Sequence, residues 1–311
     1  FSKIRGLFPP IVTGSIITVI GFTLIPVAFE DIGGGNPAAQ SYGDPKNLLV
    51  GLITVAVIVM INVLARGFMR SIAVLIGILV GTGIAALLGM VSFAPVLQAS
   101  WFHFPRPFYF GVPTFNLSAI LTMIMVTLTT MIESTGVFFA LGDLVGKEIT
   151  QNDLKRGYRA EGVAAILGGI FNTFPYSTFS ENVGVLQLSG VKSRKPLYYA
   201  AGFLILLGLL PKAGAMATII PSSVLGGAML VMFGIVGIQG IRILQKVDFN
   251  QTKDILISAL SIGMGLGSTV DPQIYRALPQ ACQMLLTNGI VVASITAVVL
   301  NLLFNGYDSS R

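Results

Sequence analysis

Three glutamates stand in or beside apolar stretches of this 311-residue chain. A carboxylate in such a place is costly, so it is expected to have a function or a bonding partner. Glu133 is the one charged residue of a run that extends over 117–141. Placing a charge at the centre of a bilayer costs about 2.5 to 3.5 kcal/mol even on the lenient insertion scale, and such residues most often mark a transport path. Glu133 is therefore a candidate substrate or proton site, and the alternative is a protonated acid that hydrogen-bonds a neighbouring helix.

The residues around Glu181 predict a helix that starts in the middle of the membrane. Pro175 cannot donate a backbone hydrogen bond and residues 176–179 favour an extended chain, so the helix should begin at Ser180 or Glu181. Its length up to residue 190 is about 15 Å, half a membrane. The unpaired N–H groups of a helix start bind carbonyls, anions or carboxylates. Glu181 is then a partner of the helix dipole, an acceptor that faces a ligand, or both.

Three more residues near these glutamates could contribute to a site. Asn182 offers both an amide donor and a carbonyl acceptor, and Gly184 allows a neighbouring helix to approach closely. Glu161 lies at the start of the next apolar stretch upstream, beside Arg156 and Arg159. That neighbourhood predicts an ordinary ion pair for Glu161.

The composition identifies the kind of chain that must position these residues. Hydrophobic residues make up 54% of it and charged residues only 10%, with a mean hydropathy of +0.83, whereas soluble domains are about 25% charged. The chain is thus an integral membrane protein. The single Cys282 and the single His103 argue against a disulfide framework, a zinc site or a haem site. The sequence carries no nucleotide-hydrolase, serine-hydrolase or metalloprotease motif, so we expect neither an enzyme nor a cofactor beyond a coupling proton.

Apolar runs of about membrane length predict ten transmembrane segments, at 8–28, 47–65, 71–90, 117–141, 157–173, 174–190, 197–210, 218–244, 253–269 and 286–304. When alternate loops are assigned to opposite sides, fifteen of the 19 Lys and Arg residues fall on the side of the N-terminus. The positive-inside rule places that side, and both chain ends, in the cytoplasm. The net charge of +6 is then a topology signal, and nucleic acid is not an expected partner.

Segments one and eight carry related sequences, PPIVTG at 9–14 and PSSVLG at 221–226. The two segments run in opposite directions, as an inverted repeat requires, and many secondary transporters are built from such repeats. A repeat of seven segments predicts about fourteen in the whole protein, with this chain supplying the last ten. Between segments three and four, residues 91–116 are rich in aromatic residues and proline, which favours an aromatic belt at the outer interface.

Longer stretches make the resemblance to a known family specific. SENVGVLQLSGVKSR (180–194) resembles the signature of the nucleobase-ascorbate transporter family, also called nucleobase:cation symporter 2, and ESTGVFFALGDLVG (133–146) resembles the segment that carries the family's first binding glutamate. The similarity extends along nearly the whole chain and is greatest to the bacterial xanthine-permease branch.

The resemblance implies an all-α polytopic fold of fourteen segments in two inverted repeats. Residues 1–116 and 218–311 would be gate-domain helices, and 117–217 would be core-domain helices, with core segments one to four preceding this chain. A short strand near residues 176–180 would interrupt the tenth family segment. The resemblance leaves open whether the protein forms a homodimer through its gate helices.

Matched position by position, the resemblance assigns substrate binding to Glu133, Phe179, Ser180 and Glu181, and a place in the transport cycle to Glu161. It implies a proton-coupled nucleobase symporter of the plasma membrane, multi-pass in the lipid bilayer and bacterial, that imports xanthine or a related oxopurine. Uracil or urate permeases of the same family are the alternative, followed by an anion exchanger or channel on the same fold. Val137 stands where uracil permeases carry a histidine.

Overall fold

The computed structural model describes residues 9–306 except 175, 179–185 and 187–190, and all regular secondary structure in this part is helical. The α-helices, in chain order, are α1 (Pro10–Thr23), α2 (Ile25–Gly33), α3 (Pro45–Leu64), α4 (Phe68–Ser71), α5 (Ala73–Leu87), α6 (Ala94–Gln98), α7 (Leu117–Val145), α8 (Gln151–Ile170), α9 (Lys195–Leu209), α10 (Pro211–Thr218), α11 (Ser222–Leu244), α12 (Thr252–Val270), α13 (Gln280–Leu286) and α14 (Gly289–Asn305). A short 3-10 helix lies at Pro272–Tyr275.

Within the described residues, three spans are long and apolar enough to cross a membrane: Pro10–Gly33, which is α1 with α2, then α3, and then α11. Helices α9 and α10 meet the criterion only together, as a pair bent by 84°. Pro211 explains the bend, because it has no N–H for the helical ladder and disfavours helical backbone at the residue before it. The predicted number of ten crossings stays a prediction.

The first span is longer than the predicted segment 8–28. Its helix breaks at Leu24 and then continues as α2 to Gly33. Pro26 lies in the first turn of α2, where a missing N–H is tolerated, so the chain resumes a helical path directly after the break.

Glycines allow α1 and α2 to pack antiparallel along α11. A methyl group on Gly21 would stand 2.2 Å from the backbone nitrogen of Gly237, and one on Gly226 would stand 2.4 Å from the backbone nitrogen of Ile32. Both distances are too short for any side chain, so the helices touch backbone to backbone, as small residues permit between membrane helices.

Two buried apolar clusters attach the other long helices to this pair. One cluster includes Val12 of α1, Ile257 of α12 and Ala297 of α14. The other includes Val224 of α11, Val50 of α3 and Ala85 of α5. Helices α12 and α14 therefore pack beside α1, while α3 and α5 pack beside α11.

Several buried hydroxyls in these helices bond to their own backbone. Ser15 donates to the Ile11 carbonyl at 2.8 Å, Thr18 to the Gly14 carbonyl at 2.7 Å, and Thr54 to the Val50 carbonyl at 2.8 Å. Because no water competes inside a membrane protein, a hydroxyl without such a partner would be costly. The hydroxyls of Ser15, Thr18 and Thr54 are thus compatible with a lipid-embedded fold.

The short strand predicted near residues 176–180 is wrong for residues 176–178, which the structure describes. Residues 176–178 have no strand pairing, and the Thr178 N–H donates to the carboxylate of Glu161 instead of to another strand. A strand needs a partner backbone, and the described residues provide none at this point. Phe179 and Ser180 lie outside the described residues.

Candidate functional site

The candidate site is positioned by α7 and α8, two helices joined by a short, well-capped turn. Gly146, in the left-handed conformation (φ 71°), reverses the chain after α7, and the Lys147 N–H closes the turn on the Gly142 carbonyl at 2.9 Å. Thr150 then caps α8, with reciprocal hydrogen bonds to Asp153. Such caps satisfy backbone groups that helix ends leave unpaired.

An ion pair reinforces this turn on its exposed side. The Lys147 ammonium lies 2.7 Å from the Asp153 carboxylate. The hydrogen bond from Lys147, followed by those from Thr150, holds the pKa of Asp153 well below its usual range. The charged form of Asp153 therefore stabilises the start of α8.

A polar network links α7, α8 and the segment that follows α8. The Ser134 hydroxyl donates to Glu161 Oε1 at 2.5 Å, and the Thr178 N–H donates to the same oxygen at 3.2 Å. The Thr178 hydroxyl also donates to that oxygen, and it lies 3.1 Å from the Ser134 hydroxyl. Ser134 is fully buried, so its hydroxyl needs a hydrogen-bond partner. The network provides that partner, and it provides donors for a carboxylate that lies among apolar helices.

The predicted ion pair of Glu161 is wrong. The single ion pair among the described residues is the one between Lys147 and Asp153. Arg156 and Arg159 precede Glu161 by five and two positions, whereas neighbours on one helix face are three or four positions apart. Both arginines are exposed, and Glu161 turns instead toward the hydroxyls of α7 and residue 178.

A second contact lies one position along α7. The Thr135 hydroxyl is hydrogen-bonded to the Tyr158 hydroxyl of α8, and the ring of Phe138 meets the Tyr158 ring edge-on with centroids 5.9 Å apart. A methyl group on Gly157 would stand 2.6 Å from the Phe138 ring. Helices α7 and α8 are thus fixed in register by polar and aromatic contacts together.

The predicted site residues lie next to this network or outside the described part. Glu133 lies on α7 immediately before Ser134, and its side chain is outside the described part of the structure. Phe179 follows Thr178, and it lies outside the described residues together with Ser180, Glu181, Asn182 and Gly184. The network therefore ties together the backbone neighbours of Glu133 and Phe179.

Sequence reasoning missed Ser134 and the bonding role of Thr178. Both are hydroxyl residues directly beside predicted binding residues, in the sequences EST and STFS. The signal that could have found them is Glu161 itself, because a carboxylate in an apolar hairpin needs donors from neighbouring segments.

The long apolar spans and the backbone-to-backbone helix contacts define a polytopic membrane protein, and a part-buried acidic network links two of its helices. Residues 1–274 match the profile of the Permease family, and the chain belongs to that family, the nucleobase-ascorbate transporter family. The predicted family is confirmed, and membership of this permease family identifies the protein as a transporter and not an enzyme.

Several bacterial relatives are similar over nearly the whole chain. A xanthine permease of Bacillus subtilis is 48% identical over 311 residues, which are all of this chain and 71% of the relative. The nucleobase transporter PlUacP of Paenibacillus larvae is 49% identical over 304 residues, 98% of this chain and 70% of the relative. The uric acid permease PucK of Bacillus subtilis is 45% identical, again over 98% of this chain and 70% of the relative.

Proposed function

We propose that this protein is a proton-coupled nucleobase symporter of a bacterial plasma membrane that imports xanthine or a related oxopurine. The xanthine, nucleobase and uric acid transporters that it resembles support this substrate class. Urate is the first alternative substrate, and uracil is the second.

The network of Ser134, Glu161 and Thr178 is the observation that carries the proposal. It connects α7, which bears Glu133, to the segment that leads into Phe179 and Glu181. Two candidate binding segments that are distant in sequence are thereby held at a fixed separation. A binding site for a small rigid base needs that precision, since misplacement by 1 Å weakens recognition and turnover strongly.

Oxopurines carry imide N–H donors flanked by carbonyl acceptors. Carboxylates at Glu133 and Glu181 would accept from the N–H groups, and backbone amides at Phe179 and Ser180 would donate to the carbonyls. Asn182 would add a donor and an acceptor beside them, and Gly184 would let a neighbouring helix approach the site closely. This pattern disfavours an exchanger of inorganic anions, because two carboxylates repel negative cargo that has no N–H group to donate to them.

The coupling ion in this proposal is a proton carried by Glu133 or Glu181. Val137 is buried, with 6% of its surface exposed, and as an apolar residue it cannot take the proton role of the histidine found there in uracil permeases. Intramembrane carboxylates are the usual proton carriers of transporters. Substrate occupancy would then be linked to protonation of one glutamate.

An inverted repeat with alternating access completes the proposal. Contacts around α1 and α11 support it, because Gly14 lies against Gly240 and Leu244, while Gly226 lies against Ala28 and Ile32. Gly226 follows Gly14 by 212 positions, and Ala28 and Ile32 precede Gly240 and Leu244 by the same 212. Reciprocal contacts of this kind are expected from two related halves packed antiparallel. In this scheme 117–217 moves as the core against the gate helices of 1–116 and 218–311.

Uptake of labelled xanthine by cells that lack their own purine permeases tests the proposal. We expect saturable uptake that an inward proton gradient stimulates and a protonophore abolishes. Competition by urate, guanine and uracil would rank the substrates, with oxopurines ahead of uracil. Non-saturable uptake would indicate a channel, and chloride-dependent exchange would indicate an anion exchanger.

A further inference from the structure

The loop between α5 and α7 crosses two other parts of the protein. Its residues 96–108, here called the strap, touch the bend between α9 and α10 at one end and the C-terminus of α8 at the other. In the orientation that the positive-inside rule predicts, all these points lie on the outer side. The strap thus spans two helix ends that face the cell exterior.

At the α9–α10 bend the strap is held by several different contacts. Lys212 donates to the Val96 carbonyl at 3.1 Å and lies 4.7 Å from the centroid of the Trp101 ring. The His103 N–H donates to the Leu209 carbonyl at 3.1 Å, and α6 packs against α10. This end is called the firm end, because a cation over an indole ring, a hydrogen bond from the same cation and helix packing all oppose its release.

At α8 the strap is held by two hydrogen bonds. The Phe108 N–H donates to the Ile170 carbonyl at 2.8 Å, and the Asn172 amide donates to the Arg106 carbonyl at 3.2 Å. Both Phe108 (φ 52°) and Asn172 (φ 61°) have the left-handed backbone that residues other than glycine rarely adopt. These two hydrogen bonds act without the cation–π contact and the helix packing of the other end, so this is the weak end.

Asn172 has two roles at the weak end. It reverses the chain after α8, and the Thr173 N–H closes the turn on the Gly168 carbonyl at 2.8 Å. Glycine would serve that turn at least as well. The asparagine amide adds what glycine lacks, namely the hydrogen bond to the strap. From this turn the chain continues directly to Thr178 and the candidate site.

We propose that the strap is an outer lid that stays attached at Lys212 and detaches from α8 to admit substrate, with Asn172 as the residue that positions it. This inference rests on the proposed function and orientation. Detachment would free the turn at residue 172, which feeds the binding segment. The asymmetry between the two ends determines which end opens.

Two disulfide pairs in a Cys282→Ser background test which end must open. Phe108→Cys with Ile170→Cys locks the weak end, and His103→Cys with Leu209→Cys locks the firm end as the matched control. Both pairs join residues already linked by a backbone hydrogen bond, a separation that suits a disulfide. We expect oxidation to abolish xanthine uptake in the first variant, with recovery on reduction, and to leave uptake in the second unchanged. Full uptake by the oxidised first variant would overturn the lid.

Asn172 variants test the positioning role. Asn172→Gly keeps the turn and removes the amide, and Asn172→Asp keeps the shape but cannot donate. Loss of one hydrogen bond should raise the ratio of detached to attached strap roughly two- to tenfold. Distances between spin labels at positions 109 and 171 report that ratio. The apparent KM for external substrate should fall by the same factor with little change in maximal rate.

An unchanged distance distribution in both Asn172 variants would contradict the positioning role. The spin-label measurement needs no substrate, so it separates failure of the lid from failure of the proposed function. If the strap detaches as expected while no nucleobase enters, the proposed cargo is wrong. If nucleobase enters while the strap never detaches, the lid is wrong.

Discussion

Ser134 of α7 donates a hydrogen bond of 2.5 Å to Glu161 of α8, and the same carboxylate oxygen accepts the backbone N–H of Thr178. One acidic residue therefore fixes the distance between two segments that carry candidate binding residues. An amide or hydroxyl at position 161 would supply fewer or weaker acceptors, because charge-assisted hydrogen bonds are roughly twice as strong as neutral ones.

Removing the Thr178 hydroxyl should loosen the candidate site without unfolding the protein. Thr178→Val keeps the side-chain shape and the backbone N–H bond to Glu161, but it removes the hydroxyl donation. A hydrogen bond to a charged group contributes about 1.5 to 3 kcal/mol, so initial xanthine uptake should fall roughly tenfold or more. Thr178→Ser, which keeps the donor, is the control. Equal uptake by Thr178→Val and wild type, at equal expression, would contradict the role of the network.

Glu133→Gln should remove proton coupling while the protein is still made and inserted. Glutamine has nearly the same volume and can still hydrogen-bond a base, but it cannot carry a proton. We expect binding of xanthine to persist and proton-driven uptake of labelled xanthine to disappear. Unchanged uptake in this variant would remove Glu133 from the coupling mechanism, whereas loss of insertion in the membrane would show a structural role.

Gly226→Ala should destabilise the helix pair of α1–α2 and α11. The added methyl group would lie 2.4 Å from the Ile32 backbone nitrogen and 2.6 Å from the Ala28 carbonyl oxygen. Backbone atoms cannot move aside as a side chain can, so we expect a loss of about 1 to 3 kcal/mol. Gly234→Ala on the same helix, where the methyl group meets open space, is the matched control. Thermal unfolding of the purified protein in detergent should show a lower midpoint for Gly226→Ala alone.

Acidification should weaken the turn between α7 and α8 through Asp153. Hydrogen bonds from Lys147 and Thr150 lower the pKa of Asp153 in the folded protein. Its contribution to stability is therefore complete well above the ordinary aspartate pKa of 3.8, and it is lost progressively as the pH falls from that value through the lowered pKa of the folded protein.

Asp153→Asn should lower the unfolding midpoint at pH 6, and the difference from wild type should begin to shrink only as the pH falls below 3.8. Glu148→Gln in the same turn is the control, because Glu148 is exposed and makes no ion pair among the described residues. A difference that stays constant with pH would show that the charge of Asp153 is not what stabilises the turn.

Sequence by itself determined the class and the family of this protein. Apolar runs indicate which segments lie in lipid, because that property resides in each single segment. The motifs around Glu133 and Glu181 were sufficient to identify the permease family.

Tertiary structure decided what each polar residue bonds to. Sequence proximity predicted that Glu161 pairs with Arg156 or Arg159, but helix geometry turns both arginines away and brings in Ser134 and Thr178 from other segments. The role of Asn172 is likewise invisible in sequence, since its partner Arg106 is 66 positions distant. A buried polar group must find its partner wherever folding places one, and that choice depends on the packing of whole helices and not on neighbours along the chain.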